Sequence, residues 1–367
     1  MSRTQLISTV TSFVKDRFPI EKMDFKHMIT QKEVPIHKMS WAYYTGGLVL
    51  FFLIIQIATG LMLLFYYKPT VSDAHESVSF LTDIVSMGGL IRNMHAWAAS
   101  LMIFCVIVHL LTAFAMKAFA KPRELTWVTG VVLLLLTFGF GFTGYLLPWN
   151  QIAVNATKVG LQSIEEVGAY LPAGLAHYPT VLRETIQGEA TLGQATLSRF
   201  FAIHVVVLPF TLLAVLGLHL FFVQLHGMSQ GVDRPTKKRE FFFPFFALKD
   251  LSEWGFAFLA LFLLALCLPF ESFFPYPLAE PYNALGSTPE GIKPEWYFYF
   301  LYYPMEMLPF WVIIIITKVL VIGLFLAPWI FRNTSRRVLA TIAIAAGMYF
   351  GVMTLFGSTI YKLVKGG

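Results

Sequence analysis

Seven long apolar segments, separated by polar ones, dominate the pattern of the chain. They lie at about 41–65, 93–116, 126–147, 200–225, 251–270, 309–330 and 338–357. Each has close to or more than the roughly 20 mostly apolar residues with which an α-helix crosses a bilayer. The pattern therefore predicts an all-α integral membrane protein with seven transmembrane helices.

The polar segments divide these helices into two groups. Residues 1–40 are basic and amphipathic, and we expect them to lie along the membrane surface. The first four helices form a module at 41–226, and a basic linker follows at 227–250. The last three helices form a C-terminal module at 251–367, which contains a long loop rich in proline.

Composition agrees with a membrane protein and excludes other classes. Hydrophobic residues make up 57% of the chain and charged residues only 13%, with a mean hydropathy of +0.66, whereas a soluble domain has about 25% charged residues. Cys105 and Cys267 each lie alone in an apolar segment, so neither a disulfide framework nor a CxxCH haem attachment is predicted. The N-terminus has no apolar core typical of a removable signal peptide.

The net charge of +6 would suggest nucleic acid in a soluble protein, but here its distribution indicates membrane topology. Basic residues are concentrated in the N-terminal segment and in the loops after the second, fourth and sixth helices, which lie on one side if the helices alternate. The opposite loops, 148–199 and 271–308, are longer and more acidic. The positive-inside rule therefore places the N-terminus in the cytoplasm, and we expect no nucleic-acid partner.

Four histidines lie inside the apolar segments, where an ionisable residue is costly and usually functional. His95 and His109 are fourteen residues apart, which in a straight helix separates them by about 40° and about 21 Å. His204 and His219 are fifteen residues apart, or about 60° and about 22 Å. Because both helices run in the same direction, His95 is level with His204 and His109 with His219. Each pair could hold a haem iron from both sides, which favours electron transfer.

Glycines repeat at a matching interval, and arginines flank the helices. Glycine allows a flat ring or another helix to approach the backbone; the glycines concerned are Gly46 and Gly60 in the first helix and Gly130 and Gly144 in the third. Candidates for binding haem propionates are Arg92 and Arg199 at the outer face and Arg123 at the inner face. The alternatives are ordinary helix packing for the glycines, interfacial anchoring for the arginines, and independent histidines that bond to backbone or line a channel.

Four long motifs are specific enough to compare with known families, namely GGLVLFFLIIQIATG at 46–60, KPRELTWVTG at 121–130, TGYLLPWNQ at 143–151 and PEWYFYF at 294–300. They resemble the cytochrome b family of Rieske/cytochrome b complexes, the quinol:cytochrome c and quinol:plastocyanin oxidoreductases. The resemblance implies two non-covalent b-type haems ligated by the four histidines. The fifteen-residue histidine interval resembles the photosynthetic branch, whereas FFFPFFALKDL at 241–251 resembles the mitochondrial type. Together they imply an undivided bacterial form in the cytoplasmic membrane.

The resemblance also implies sites for quinol oxidation and quinone reduction. At the outer site Glu295 would accept a quinol proton, with Tyr297 and Tyr145 lining the cavity. The alternatives are a glutamate at a helix start and tyrosines of the aromatic belt. At the inner site Lys249 and Asp250 match residues of quinone reduction, and a solvated charge pair is the alternative. His226 and Arg123 are weaker candidates there, and menaquinone is a plausible quinone for a bacterium.

The resemblance also implies partners, and at Tyr44 the sequence differs from the photosynthetic branch. A Rieske-type iron–sulfur protein, a c-type cytochrome, membrane lipid and a second copy of the chain are the expected partners. The photosynthetic branch attaches an extra haem through a cysteine where this chain has Tyr44, so no covalent haem is predicted there. Lys318, inside the sixth helix, has no assigned role. A di-haem anchor of a dehydrogenase or hydrogenase, or a haem-free transporter, is the alternative function.

Overall fold

The computed structural model describes residues 5, 12, 15–18, 32–230, 237–270, 280–286 and 292–366. In chain order, its main helices are α1 (Tyr43–Leu64), α2 (Ala74–Asp83), α3 (Gly88–Ala115), α4 (Glu124–Leu146), α5 (Gln151–Glu166), α6 (Tyr178–Gln187), α7 (Gln194–His226), α8 (Ala247–Cys267), α9 (Tyr299–Met307), α10 (Phe310–Ile330) and α11 (Arg336–Lys365). Within the described part of the chain, seven helices are long and apolar enough to cross a membrane: all of these except α2, α5, α6 and α9. The prediction of seven spans in an all-α membrane protein is therefore confirmed.

The spanning helices pack in pairs that set up the interior of the bundle. Helix α1 packs chiefly against α3, and α4 packs chiefly against α7. The C-terminal helices cover these pairs, because α8 lies against α1 and α3, α10 against α4, and α11 against α3. One buried cluster joins Phe51 of α1, Trp97 of α3 and Leu261 of α8. Since the last three helices pack directly on the first four, the division into two modules remains a prediction.

Contacts between loops agree with alternation of the helices across the membrane. The two long loops meet each other, because the Gln151 amide donates to the Glu280 carbonyl (3.0 Å) and the Tyr282 amide to the Trp149 carbonyl (3.2 Å). At the opposite end, the Lys117 ammonium after α3 donates to the carbonyl of Arg332 after α10 (2.7 Å). The long loops and the short basic loops therefore lie at opposite ends of the bundle.

A two-stranded antiparallel sheet ties the N-terminal segment to the linker. Strand β1 (Glu33–Pro35) pairs with β2 (Arg239–Phe241), with Val34 opposite Glu240. Earlier in the N-terminal segment, Arg17 forms a buried ion pair with Glu124 at the start of α4. Most of the predicted surface segment 1–40, and residues 231–236 of the predicted linker, lie outside the described residues.

Two helices contain an irregular turn that the sequence does not predict. The fifth span begins near Phe242 rather than near 251, because a turn over Phe242–Phe246 leads into α8; this turn is kinked at Phe243, whose backbone is extended (φ −110°, ψ 132°). Lys249 and Asp250 consequently lie within this span rather than before it. Helix α7 contains a π-helical turn at Ile203–Val207, a feature frequently found at functional sites.

Candidate functional site

The four intramembrane histidines come together in two pairs, at two depths of the bundle. His95 of α3 interacts with His204 of α7, and His109 of α3 interacts with His219 of α7. The π-helical turn that contains His204 adds one residue to α7 relative to a regular helix. This turn explains how a fifteen-residue interval on α7 matches a fourteen-residue interval on α3.

Each histidine ring lies directly against one of the four repeated glycines. A Cβ atom on Gly46 would lie 3.1 Å from the His109 ring, and one on Gly60 would lie 3.4 Å from the His95 ring. On the other helix pair, a Cβ on Gly130 would lie 3.3 Å from His219 and one on Gly144 would lie 2.6 Å from His204. The four glycines, which the sequence predicts to make room for a flat ring or another helix, therefore make room for the histidine rings.

A threonine precedes each of these glycines and holds the neighbouring histidine. The hydroxyl oxygens of Thr45, Thr59, Thr129 and Thr143 lie 3.0, 2.9, 3.1 and 3.0 Å from Nδ1 of His109, His95, His219 and His204, respectively. Each hydroxyl also lies within donating distance of a backbone carbonyl in its own helix, three or four residues earlier. With its proton committed there, the hydroxyl accepts from Nδ1–H of the histidine. That tautomer leaves the Nε2 lone pair available for a metal.

These features fit haem iron better than a chelated metal ion. The described residues contain no group of three or more His, Cys, Asp or Glu side chains that could hold a metal. Haem needs only two axial ligands, because the porphyrin supplies the others, and each facing pair of histidines offers two nitrogens. The threonine partners fix the ring orientation and increase the basicity of Nε2. His95 with His204, and His109 with His219, would therefore hold one haem each.

Two of the three candidate propionate ligands, Arg123 and Arg199, bind backbone carbonyls at helix ends. Arg123 donates to the carbonyls of His226, Gly227 and Met228 at the end of α7, at 3.2, 3.3 and 3.4 Å. Arg199 donates to the carbonyls of Glu184 and Thr185 near the end of α6. Arg92 precedes His95 by less than one turn of α3. The role of all three in binding propionates remains a prediction.

At the end of the bundle that carries the long loops, three predicted residues come together. Glu295 interacts electrostatically with Tyr145, at the end of α4, and with Tyr297. Burial raises the pKa of the Glu295 carboxyl to about 7, and its Oε2 has no hydrogen-bond partner among the described residues. Sequence reasoning missed Gly141, where any Cβ would overlap the Tyr297 phenol. It also missed Ser100, whose hydroxyl accepts from the Trp296 indole at 3.2 Å.

At the end of the bundle that carries the short basic loops, the two predicted residues do not pair with each other. The Lys249 ammonium lies 2.5 Å from Oε2 of Glu240. Asp250 lies against Gly47 of α1, where a Cβ would overlap its carboxylate, and its Oδ1 has no hydrogen-bond partner within the described ranges. Both side chains interact electrostatically with Tyr44, whose ring stacks on Phe246 with centroids 4.8 Å apart.

A spanning bundle that carries facing pairs of oriented imidazoles defines the class of haem-binding, electron-transferring membrane proteins. Comparison with known proteins leads further. A family model for cytochrome b/b6/petB matches residues 29–227, and one for cytochrome b(C-terminal)/b6/petD matches residues 281–363. The chain therefore belongs to the cytochrome b/b6 family, as its motifs predicted, and this membership implies binding of b-type haem and quinone.

Individual relatives agree with this assignment. The chain is 46% identical over 275 residues to a cytochrome bc complex cytochrome b subunit from Chlorobaculum thiosulfatiphilum, a match that spans 74% of this chain and 61% of that protein. It is 39% identical over 222 residues to cytochrome b6 of Prochlorococcus marinus strain MIT 9211, which spans 60% of this chain and 97% of that protein. A chain of a hyperthermophilic respiratory Complex III shares the fold, with a TM-score of 0.74, 24% identity, and coverage of 96% and 97%.

Proposed function

We propose that this chain is the cytochrome b subunit of a quinol:cytochrome c oxidoreductase, or of a complex with a similar acceptor. It oxidises quinol at the outer face and reduces quinone at the inner face, so that electron transfer translocates protons in a Q-cycle. The observation that carries the proposal is the double set of facing histidines, each with its own threonine and glycine. When bound, two b-type haems supply the one-electron carriers between the two faces.

At the outer site the chain manages the protons of the quinol. Oxidation of a quinol releases two protons and two electrons, and Glu295 accepts one proton at Oε2. A pKa of about 7 suits this task, because the carboxyl can both take up and release a proton near neutral pH. Tyr145 and Tyr297 line the site and orient the substrate. The electron that does not enter this chain leaves to a Rieske-type iron–sulfur protein and onward to a c-type cytochrome.

At the inner site the chain supplies protons to the quinone. Asp250 donates a proton, and Gly47 allows its carboxyl to lie close to the backbone of α1. Lys249 is placed by Glu240 and contributes positive charge beside Tyr44. We further propose that the quinone is menaquinone, that the chain dimerises, and that it lies in a bacterial cytoplasmic membrane with its N-terminus in the cytoplasm.

Spectroscopy and rapid kinetics on the purified complex test the proposal. A reduced-minus-oxidised spectrum should show b-type bands, and single substitutions of His95 and His109 by alanine should each remove one of two spectroscopic components. Asp250→Asn should slow haem reoxidation by quinone while leaving haem reduction by quinol intact, whereas Glu295→Gln should do the reverse. A complex without b-type bands, or loss of the same component in the His95 and the His109 variant, would refute the assignment.

A further inference from the structure

A cavity opens at the end of the bundle where the N-terminal segment lies. Its volume is about 730 Å³, and its walls come from the N-terminal segment, the α3–α4 connection, the end of α10 and the start of α11. No residue assigned above to haem or quinone lines it. Because its walls are the ends of spanning helices, the cavity lies at the level of the lipid headgroups.

The acidic residues of the cavity are already neutralised by two of its basic residues. Arg17 forms a buried ion pair with Glu124. The Lys121 ammonium lies 2.7 Å from Oδ2 of Asp16. Any further basic side chain in the lining therefore leaves the cavity with net positive charge.

Three such side chains are present, namely Lys117, Arg332 and Arg336. None of them pairs with a carboxylate among the described residues. The Lys117 ammonium uses two of its three donors on the carbonyls of Arg332 (2.7 Å) and Thr334 (2.8 Å). Nη1 of Arg336 is buried and has no hydrogen-bond partner in the described part of the chain. A buried guanidinium nitrogen of this kind is costly, so it indicates an acceptor that comes from outside the chain.

The start of α11 adds to this positive potential. The helix spans Arg336–Lys365, with Ser335 as its N-cap, and both Ser335 and Arg336 line the cavity. Backbone amides at a helix N-terminus and the helix dipole favour a bound anion. Arginine in such a setting matches the geometry of a phosphate group.

The surroundings of the cavity favour a lipid over a soluble anion. Trp329, in the last turn of α10, lines the cavity and is half exposed, as is typical of tryptophan at a membrane interface. Leu326 and Ile330 of the same helix are exposed apolar side chains beside it. We propose that this cavity binds the phosphate of an anionic phospholipid, whose acyl chains lie along α10.

Lipid retention by the intact complex tests the proposal. The complex is reconstituted in nanodiscs of phosphatidylcholine with increasing phosphatidylglycerol, and bound lipid is counted by native mass spectrometry after detergent extraction. Arg336→Gln should weaken phosphatidylglycerol retention by about tenfold or more, because it removes a charge-assisted contact to phosphate. Arg332→Gln should also weaken phosphatidylglycerol retention. Because Arg332 is exposed, this second variant should fold normally even if Arg336→Gln does not. The matched control is Arg337→Gln, which changes the adjacent arginine outside the cavity and should retain lipid like the native chain.

Inorganic phosphate separates the two sources of a phosphate group. Native protein that retains phosphatidylglycerol in the presence of millimolar phosphate supports a lipid site. Displacement of the lipid by phosphate alone, or phosphate binding that both cavity variants abolish while lipid retention stays unchanged, would overturn the lipid assignment. Equal retention by Arg336→Gln, Arg332→Gln and Arg337→Gln would overturn the site itself.

Discussion

The hydroxyl of Thr59 should be a determinant of haem affinity at the outer histidine pair. It lies 2.9 Å from Nδ1 of His95, and its proton is directed to the Ile55 carbonyl at 2.7 Å. Thr59→Val keeps the shape of the side chain but removes the acceptor for the imidazole N–H. His95 then loses both its orientation and part of the basicity of Nε2.

The size of the effect follows from the number of acceptors that each imidazole has. An N–H left without a partner in the protein interior costs about 1–3 kcal/mol, and loss of such a partner behind a metal ligand typically weakens metal binding about 10- to 100-fold. His204, on the other side of the same site, bonds to the Phe140 backbone carbonyl as well as to Thr143. Thr143→Val should therefore weaken haem binding less than Thr59→Val.

Haem content and the reduced-minus-oxidised spectrum of the purified complex measure this difference. Thr137→Val is the matched control, because Thr137 is a buried threonine of α4 whose hydroxyl donates only to the Leu133 carbonyl, at 2.8 Å. We expect a loss of the outer haem in the order Thr59→Val, then Thr143→Val, with Thr137→Val like the native chain. Equal loss in Thr59→Val and Thr137→Val would show that the hydroxyl contributes only to packing and would refute the reasoning.

Three further predictions concern proton transfer, packing and stability. Quinol oxidation should speed up as the pH rises through about 7, because only the deprotonated Glu295 can accept a proton, and Glu295→Gln should remove this step from the pH–rate profile; a profile identical to the native one would contradict the role. Gly141→Ala should displace Tyr297 and slow quinol oxidation with haem content intact, whereas Gly139→Ala on the same helix, with its nearest contact at 3.7 Å, should not; equal rates would argue against the packing constraint. Glu124→Leu removes the carboxylate from the buried ion pair with Arg17. It should lower the free energy of unfolding by about 3–5 kcal/mol, which is measured as a lower thermal midpoint.

Periodicity and length were sufficient to predict the framework of this protein. A run of some 20 apolar residues has few stable conformations in a bilayer, so the seven spans could be located from the sequence within a few residues in most cases. Helical geometry likewise related His95 to His204 and His109 to His219, because the rise per residue is fixed in a helix. The fifth span begins earlier than the sequence predicts, since α8 starts at Ala247 and includes the charged residues Lys249 and Asp250, and a kinked turn over Phe242–Phe246 precedes it.

The supporting contacts of the site could be predicted only in part. The chain contains four Thr-Gly dipeptides, at 45–46, 59–60, 129–130 and 143–144, and every one of them faces a histidine. The repeated Thr-Gly dipeptide could therefore have predicted the threonine–histidine contacts, which the spacing of the glycines alone does not predict. Gly47 and Gly141 gave no comparable signal, because their importance depends on Asp250 and Tyr297, which are distant in sequence and reach these glycines only through tertiary packing.

The π-helical turn at Ile203–Val207 has a consequence for how the length of this helix could change. A regular α-helix with one residue fewer between His204 and His219 would present both imidazoles at the fourteen-residue spacing already found on α3. Removing a residue from the turn would thus convert it into a regular α-helical turn and leave the two histidines facing their partners on α3. Removing a residue from the regular helix below it would instead rotate one ligand by about 100° out of register. The turn is therefore the place in α7 where deletion of a single residue is compatible with electron transfer.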